Sequence, residues 1–259
     1  MSELLHPTAI IHPGAKLGAG TRVGPYSIID EGAVLGENCE IHSHVVVRGQ
    51  VTLGDQVTIY PFSVIGGEPQ HLGYKGEPTT VTIGSRSVLR ESVTIHRGTV
   101  SGGGKTTIGE DAYLMAYSHV AHDCSVGRGV IFANAVNLAG HVSVGDYVTI
   151  GGLTGVVQHC RIGMYCYLGG ASMVRKDIPP FLVGKGNDFE VQGINVVGLE
   201  RRGFNVETVS RLRKLYKIFF RQNLTVAQAT EKILGELGQT DEVKAFLDFV
   251  RGSKLGFER

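Results

Sequence analysis

An aliphatic side chain returns every sixth residue along most of this chain, and that spacing limits the available folds more than any other feature. Stepping by six from Leu5 meets Ile11, Leu17, Val23, Ile29, Leu35, Ile41, Val47, Leu53, Ile59 and Ile65 without a miss. The ladder breaks at His71 and Glu77, returns at Ile83, Leu89 and Ile95, and breaks again. A second run begins at Ile108 and passes through Leu114, Val120, Val126, Phe132, Leu138, Val144, Ile150, Val156, Ile162, Leu168 and Val174. Six matches neither the 3.6-residue period of a helix nor the sustained alternation of a long strand. It matches a short strand plus a turn, repeated, and hexapeptide repeats are a β-helix signature. The repeated aliphatic then points inward and fills the coil.

Composition supports a folded solenoid. Glycine supplies 37 of 259 residues, about twice the usual share, while proline supplies only 8 and the apolar fraction is ordinary. A disordered glycine-rich chain would lack that apolar content, so the glycines serve frequent tight turns. The 25 basic and 24 acidic residues leave a net charge of +1, which gives no electrostatic argument for a nucleic-acid partner. No uncharged apolar run approaches the roughly 18 residues of a membrane helix, and Met1-Ser2-Glu3 opens no basic leader. Four cysteines without paired spacing suit a reducing compartment, so a cytoplasmic protein without a transmembrane segment is expected.

These hexads resemble those of the hexapeptide-repeat transferases, whose left-handed parallel β-helix takes three hexads per coil. The resemblance carries the handedness, which runs against the usual right-handed crossover. It places residues 18 apart on neighbouring coils, about 4.8 Å from each other. The interruptions at 66–82 and 96–107 are expected as loops expelled from the coil; both are rich in breakers, including Gly66-Gly67-Glu68-Pro69 and Gly102-Gly103-Gly104. Long loops on a rigid scaffold are usually functional or disordered.

The repeat ends near Asp177-Ile178-Pro179-Pro180 and the pattern turns helical from Asn205. Val209, Leu212, Tyr216 and Phe219 form an apolar stripe, and Arg213, Lys217 and Arg221 a basic one. Thr225 with Gln228 reads as a capping box for a second helix closed by Gly238, and Thr240 to Arg251 makes a third. The expected organisation is a mainly β chain: a left-handed parallel β-helix over 1–187, then an α-helical domain over 188–259.

With coils of 18 residues, His122, Gly140 and Gln158 fall in one outward column, and Asp123, His141 and His159 in the next. A solvated polar face would account for them equally well on spacing alone. A neutral histidine beside a carboxylate is nevertheless what a general base requires, since imidazole titrates near pH 6.5.

Longer motifs carry a closer resemblance. Gly76-Glu77-Pro78-Thr79, then Arg90-Glu91-Ser92-Val93-Thr94-Ile95-His96-Arg97-Gly98-Thr99, then His119-Val120-Ala121-His122-Asp123-Cys124, Leu138-Ala139-Gly140-His141-Val142 and Arg201-Arg202-Gly203-Phe204 appear in order. Together they resemble the UDP-N-acetylglucosamine O-acyltransferase family of lipid A biosynthesis over almost the whole chain. The resemblance implies His122 as catalytic base, Asp123 as the acid that orients it, and Gly140 as the backbone donor to the oxyanion. It implies His119, His141 and Gln158 in the substrate site, with His71 facing the sugar. Asn195, Arg201 and Arg202 match the nucleotide and phosphate end, where arginine forks suit diphosphate oxygens. Gly170 falls where the family measures the acyl chain, and a glycine there suggests a long 3-hydroxyacyl group.

The family further implies a homotrimer with sites between subunits. It implies acyl carrier protein as donor through its phosphopantetheine arm, a UDP-amino sugar as acceptor, no metal and no other cofactor. The carrier is acidic, so Arg213, Lys217 and Arg221 are candidates for docking it, although a helix surface can simply be charged. The chain departs from the family where Asp-Leu-Lys-Tyr becomes His71-Leu72-Gly73-Tyr74, where His-Gln-Phe-Cys becomes Val157-Gln158-His159-Cys160, and where the glutamate after Asn-Ile becomes Val197. A 3-amino analogue of the sugar, giving an amide, is therefore an alternative acceptor.

Two other chemistries fit less well. Zinc held by His119, His122, His141 or His159, as in carbonic-anhydrase relatives of the fold, would leave Arg201-Arg202 and the helical tail without a purpose. A thiol nucleophile at Cys124 competes with the fact that Cys39, Cys124, Cys160 and Cys166 each sit two residues before a ladder aliphatic, a small inward slot. A scaffold without catalysis would favour regular flat faces over two expelled loops and a His-Asp cluster.

Overall fold

The computed structural model describes residues 4–258. Most hexads contribute one two-residue strand, such as Ile28–Ile29, Val34–Leu35 and Glu40–Ile41. Successive strands go to three different sheets in rotation, and each sheet pairs parallel with a register of 18, as in Ile10↔Ile28 and Ile28↔Val46. The result is a left-handed parallel β-helix of triangular section. We call its faces A (strands such as Ile131–Phe132 and Thr149–Ile150), B (His119–Val120, Asn137–Leu138) and C (Ser125–Val126, Ser143–Val144).

The ladder residues fill the prism. From Val23 to Val174 they are at most 3 % exposed, whereas Leu5, Ile11 and Leu17 at the open N-terminal end are only partly covered. The four cysteines occupy the small inward slot and are free and buried. Burial pushes the thiols of Cys124, Cys160 and Cys166 up to about 12, so they are inert packing groups and not nucleophiles. At the vertices every sixth residue takes a left-handed conformation, including Asn38, His44, Gln56 and Phe62. A side chain with a Cβ resists that conformation by roughly 1 kcal/mol. The geometry persists because most such corner amides donate to a corner carbonyl of the preceding coil: Asn38 to Ala19, His44 to Pro25, Gln56 to Glu37.

Two segments leave the coil. Val64 pairs with Thr94 and Thr80 with Lys105, separations of 30 and 25 in place of 18, yet the ladder resumes in register on both sides. The expelled parts are shorter than the sequence suggests, because strands reach Gly67 and His96 before them and restart at Thr80 and Lys105 after them. Both emerge between faces B and C.

The coil ends in a hairpin. Leu182–Lys185 adds a last parallel strand to face A, and Glu190–Ile194 turns back antiparallel along it. The change to helix therefore comes after Ile194, and residue 187 lies within the hairpin turn. Four helices follow: α1 (Val196–Arg201), α2 (Val206–Arg221), α3 (Val226–Leu237) and α4 (Asp241–Arg251). Asn205 caps α2 through a bond from Thr208 N–H, and Thr225 with Gln228 forms a full capping box on α3. Val209, Leu212, Leu215 and Phe219 bury the inner face of α2. The end of the chain returns to the coil, where the Glu258 carboxylate accepts from the amides of Arg175 and Lys176. No helix among the described residues is long and apolar enough to cross a membrane.

Candidate active site

Corner residues 121–124, 139–142 and 157–160 stack along the vertex between faces B and C, the same vertex from which both loops emerge. This places His122 on the floor between two excursions of the chain. Its ring lies 5.1 Å from that of His141 and 5.4 Å from that of His71, which the first loop brings over it. His141 stacks on His159 one coil further on, at 4.5 Å. His119 sits beside them on face B, its Nδ1 2.7 Å from Thr94 Oγ1, and Gln158 is exposed at the same vertex.

The imidazole of His122 is 5 % exposed as a residue and held at one end: Nδ1 lies 2.8 Å from Asp123 Oδ2. Asp123 also accepts from Thr99 twice, the backbone N–H at 2.8 Å on Oδ1 and the hydroxyl at 2.6 Å on Oδ2. Burial alone would push this carboxyl up; the bonds from the Thr99 hydroxyl, His122 and the Thr99 amide outweigh it and hold the group below the ordinary carboxylate range. An ionised carboxylate can only accept, so His122 Nδ1 carries a proton, and in the neutral form of the ring Nε2 presents a lone pair.

Gly140 faces that ring. A Cβ placed on it would stand 2.6 Å from His122 Cε1 and 2.8 Å from Nε2, so only glycine leaves room there. Its own N–H donates to no other group among the described residues. An amide without a partner among the described residues thus lies beside the His122 ring, and a base next to a backbone donor is the pairing used to abstract a proton and receive a developing oxyanion. His122, Asp123 and His141 also bring one ligand atom each within 4.8 Å of one another. A cation there would have to compete for a carboxylate already carrying three hydrogen bonds.

Other residues expected in the site lie elsewhere in the chain. Arg201, Arg202 and Asn195 line a cavity of about 730 Å³ on face A, together with Tyr147, Tyr165 and Val197. In a triangular prism the vertex between B and C lies opposite face A, so one chain does not bring these residues to His122. Arg202 is cation-π stacked 4.3 Å above Tyr147. Asn195 is committed to structure, with its Oδ1 accepting from Gly198 N–H at the start of α1 and its Nδ2 donating to Tyr165 carbonyl. Gly170 stacks on Gly152 at a third position, the vertex between A and B. Arg213, Lys217 and Arg221 are exposed on α2, with Arg221 donating to Tyr216 Oη.

Sequence reading gave no role to two single residues and one pair that lie at these places. Thr99 and His96 lie in the RESVTIHRGT segment, singled out for its resemblance but given no role. His96 is 8 % exposed, and burial, with His119 and His122 adding, pushes it down to about 4. The third is the pair Tyr147 and Tyr165, 18 residues apart at corner positions and stacked at 5.2 Å; that spacing was a usable signal.

Comparison with known proteins defines the class first. A family model described as bacterial transferase hexapeptide matches residues 32–67 and 105–140, and one described as UDP-N-acetylglucosamine O-acyltransferase, domain 2, matches 177–257. The fold and these matches are those of a hexapeptide-repeat transferase. An acyl-(acyl-carrier-protein)–UDP-N-acetylglucosamine O-acyltransferase from Paraburkholderia xenovorans is 51% identical over 260 residues, covering 98% of this chain and 99% of that protein. One of the same name from Thermodesulfovibrio yellowstonii is 45% identical over 259 residues and the full length of both. The structure of LpxA from Acinetobacter baumannii superposes with a TM-score of 0.96 at 41% identity, over 99% of this chain and 100% of that one. The chain belongs to the UDP-N-acetylglucosamine O-acyltransferase family.

Proposed function

We propose that this protein transfers a long 3-hydroxyacyl group from acyl carrier protein to the 3-hydroxyl of UDP-N-acetylglucosamine, the first step of lipid A synthesis. The observation that carries the reading is the packing of Gly140, whose amide has no partner among the described residues, against the His122 ring, with Asp123 held to Nδ1 at 2.8 Å. His122 Nε2 takes the proton of the sugar hydroxyl as its oxygen attacks the thioester carbonyl. The Gly140 N–H receives the charge on the carbonyl oxygen. Collapse of the tetrahedral intermediate forms the ester, breaks the C–S bond, and returns the proton from His122 to the departing phosphopantetheine sulfur. Base catalysis is worth about 10²–10⁴-fold and an oxyanion donor about 10²–10³-fold.

His71, His119, His141 and Gln158 border this point and would contact the acceptor. Arg201 and Arg202 would take its diphosphate from face A of a second copy, since the geometry of one prism keeps them from His122. A homotrimer with sites between protomers meets that need, and Gly170 then borders the acyl chain from the open A–B vertex. Arg213, Lys217 and Arg221 offer an acidic carrier a basic helix face. The reaction calls for no metal and no bound cofactor beyond the donor's own arm, and its substrates place it in the cytoplasm. The relatives carry the O-acyltransferase name, which favours the hydroxyl over the 3-amino acceptor.

Mass spectrometry of products from each UDP-sugar with a panel of acyl-carrier thioesters tests the assignment. The ester of UDP-N-acetylglucosamine is expected as the dominant product, falling at least about 10²-fold in His122→Ala while the melting temperature holds. Undiminished turnover by His122→Ala would remove the base.

A further inference from the structure

We propose that Thr99 is the positioning residue of the proton-abstracting pair: it clamps the Asp123 carboxylate and through it fixes the tautomer and aim of His122. Asp123 accepts three hydrogen bonds, and Thr99 supplies two of them, one to each oxygen. The Asp123 side chain is fully shielded from solvent, so no water shares the task. The threonine hydroxyl is itself directed. Its oxygen accepts from Gly102 N–H at 3.1 Å, which turns its single proton toward Asp123 Oδ2.

The second expelled loop is built for this contact. Thr99 caps a short 3-10 turn over Val100–Gly102. A Cβ on Gly102 would overlap the Asp123 carboxylate, and one on Gly98 would stand 2.8 Å from its Oδ1. Gly102 is therefore required by close approach to Asp123, whereas Gly98 is crowded first by the loop's own backbone at Lys105 and Gly104 and only then by the carboxylate. From the other side, Asp123 N–H donates to Thr106 Oγ1 at 2.9 Å and fixes the backbone of the acid. The titratable groups facing Asp123 are His122 and His141, with His71 and His159 behind them; the loop presents only the neutral Thr99 and Ser101.

This assignment rests on the proposed roles of His122 and Asp123, and the test separates the two. Full-length Thr99→Val, Thr99→Ser, Asp123→Ala and the Thr99→Val/Asp123→Ala double variant are assayed with UDP-N-acetylglucosamine and a 3-hydroxyacyl carrier thioester. Losing one hydrogen bond to a buried charge should lower kcat about 10- to 100-fold in Thr99→Val, with KM for the sugar within about twofold. Without the hydroxyl the Asp123 carboxylate keeps fewer donors and favours a proton on the imidazole beside it, so the acid limb of the kcat/KM profile should move to higher pH. Thr99→Ser should recover to within about threefold, because it keeps the donor. The double variant should be no slower than Asp123→Ala, since the threonine acts only through that acid. A Thr99→Val enzyme with full kcat, or one whose loss multiplies with that of Asp123→Ala, overturns the proposal; misfolding would show as such a multiplied loss. Full activity in Asp123→Ala would overturn the His122–Asp123 reading as well.

Discussion

Gly140 stands one coil beyond His122, so close that its hypothetical Cβ would lie 2.6 Å from the imidazole Cε1. The two residues belong to one packing unit, and the glycine's missing side chain is what lets the ring reach its position. Gly140→Ala keeps the backbone N–H and clashes with a side chain rather than with the coil. A shift of the imidazole by an ångström can reduce the rate about 10²-fold. Gly140→Ala should therefore fold, melt within a few degrees of the parent and lose about two orders of magnitude in kcat. Wild-type turnover would mean that the ring need not sit where it does.

The exposed basic face of α2 makes a prediction in KM. Arg213→Glu, Lys217→Glu and Arg221→Glu together should raise the apparent KM for the acyl carrier protein about tenfold or more and leave kcat nearly unchanged, because steering charges act on encounter. An acyl-phosphopantetheine donor lacking the protein should show no such change. An unaltered KM for the carrier would move its docking surface elsewhere.

Acid should weaken the fold through His96. Its pKa falls to about 4 in the folded protein through burial, with His119 and His122 adding, against about 6.5 when unfolded. Between those values the unfolded chain binds more protons, so stability is complete above about pH 6.5 and declines as pH falls towards 4. The decline is on the order of 2–3 kcal/mol. His119 is lowered in the same direction by burial and by His122. Urea midpoints at pH 7 and pH 5 should differ less in His96→Gln than in the parent. Equal differences would exclude His96 as the source.

The corners make the reverse kind of prediction, a stabilisation by removal. Gln56 is exposed, adopts φ 58° and keeps its amide bonded to the Glu37 carbonyl. Gln56→Gly should stabilise by about 0.5–1 kcal/mol and Gln56→Val should destabilise by about 1–2 kcal/mol. Thermal melts of the three proteins decide it, and a stable valine variant would show that the corner conformation is not costly.

The coil was legible because its signal is redundant. Most inward residues from Leu17 to Val174 are supported by others 6 and 18 positions away, Leu89 and Ile95 between the two loops by the 6-residue step alone, and the register of His122 against Gly140 follows from counting. The ends of the loops were not legible: Thr80–Ile83 is a strand because Lys105–Ile108 pairs with it, a long-range fact with no local mark. Glu190–Ile194 escaped for the same reason, since its partner runs antiparallel and breaks the hexad rhythm. Thr99 lies off the ladder, and its bond to Asp123 depends on how seven extra residues fold back. Arg201 and Arg202 were grouped with His122 through family motifs, which carry no information on whether two residues meet within one chain or across two.

The two excursions leave the prism and rejoin it without disturbing the stacking of Ile65 on Ile95 or of Ile83 on Leu53. Specificity and support are thereby uncoupled. The segment carrying His71 can be exchanged, lengthened or rewritten while the barrel of aliphatics beneath keeps its registration. On the proposed reading, relatives can therefore diverge in acceptor preference by editing one short stretch at a single edge, and inherit the rest of the molecule unchanged.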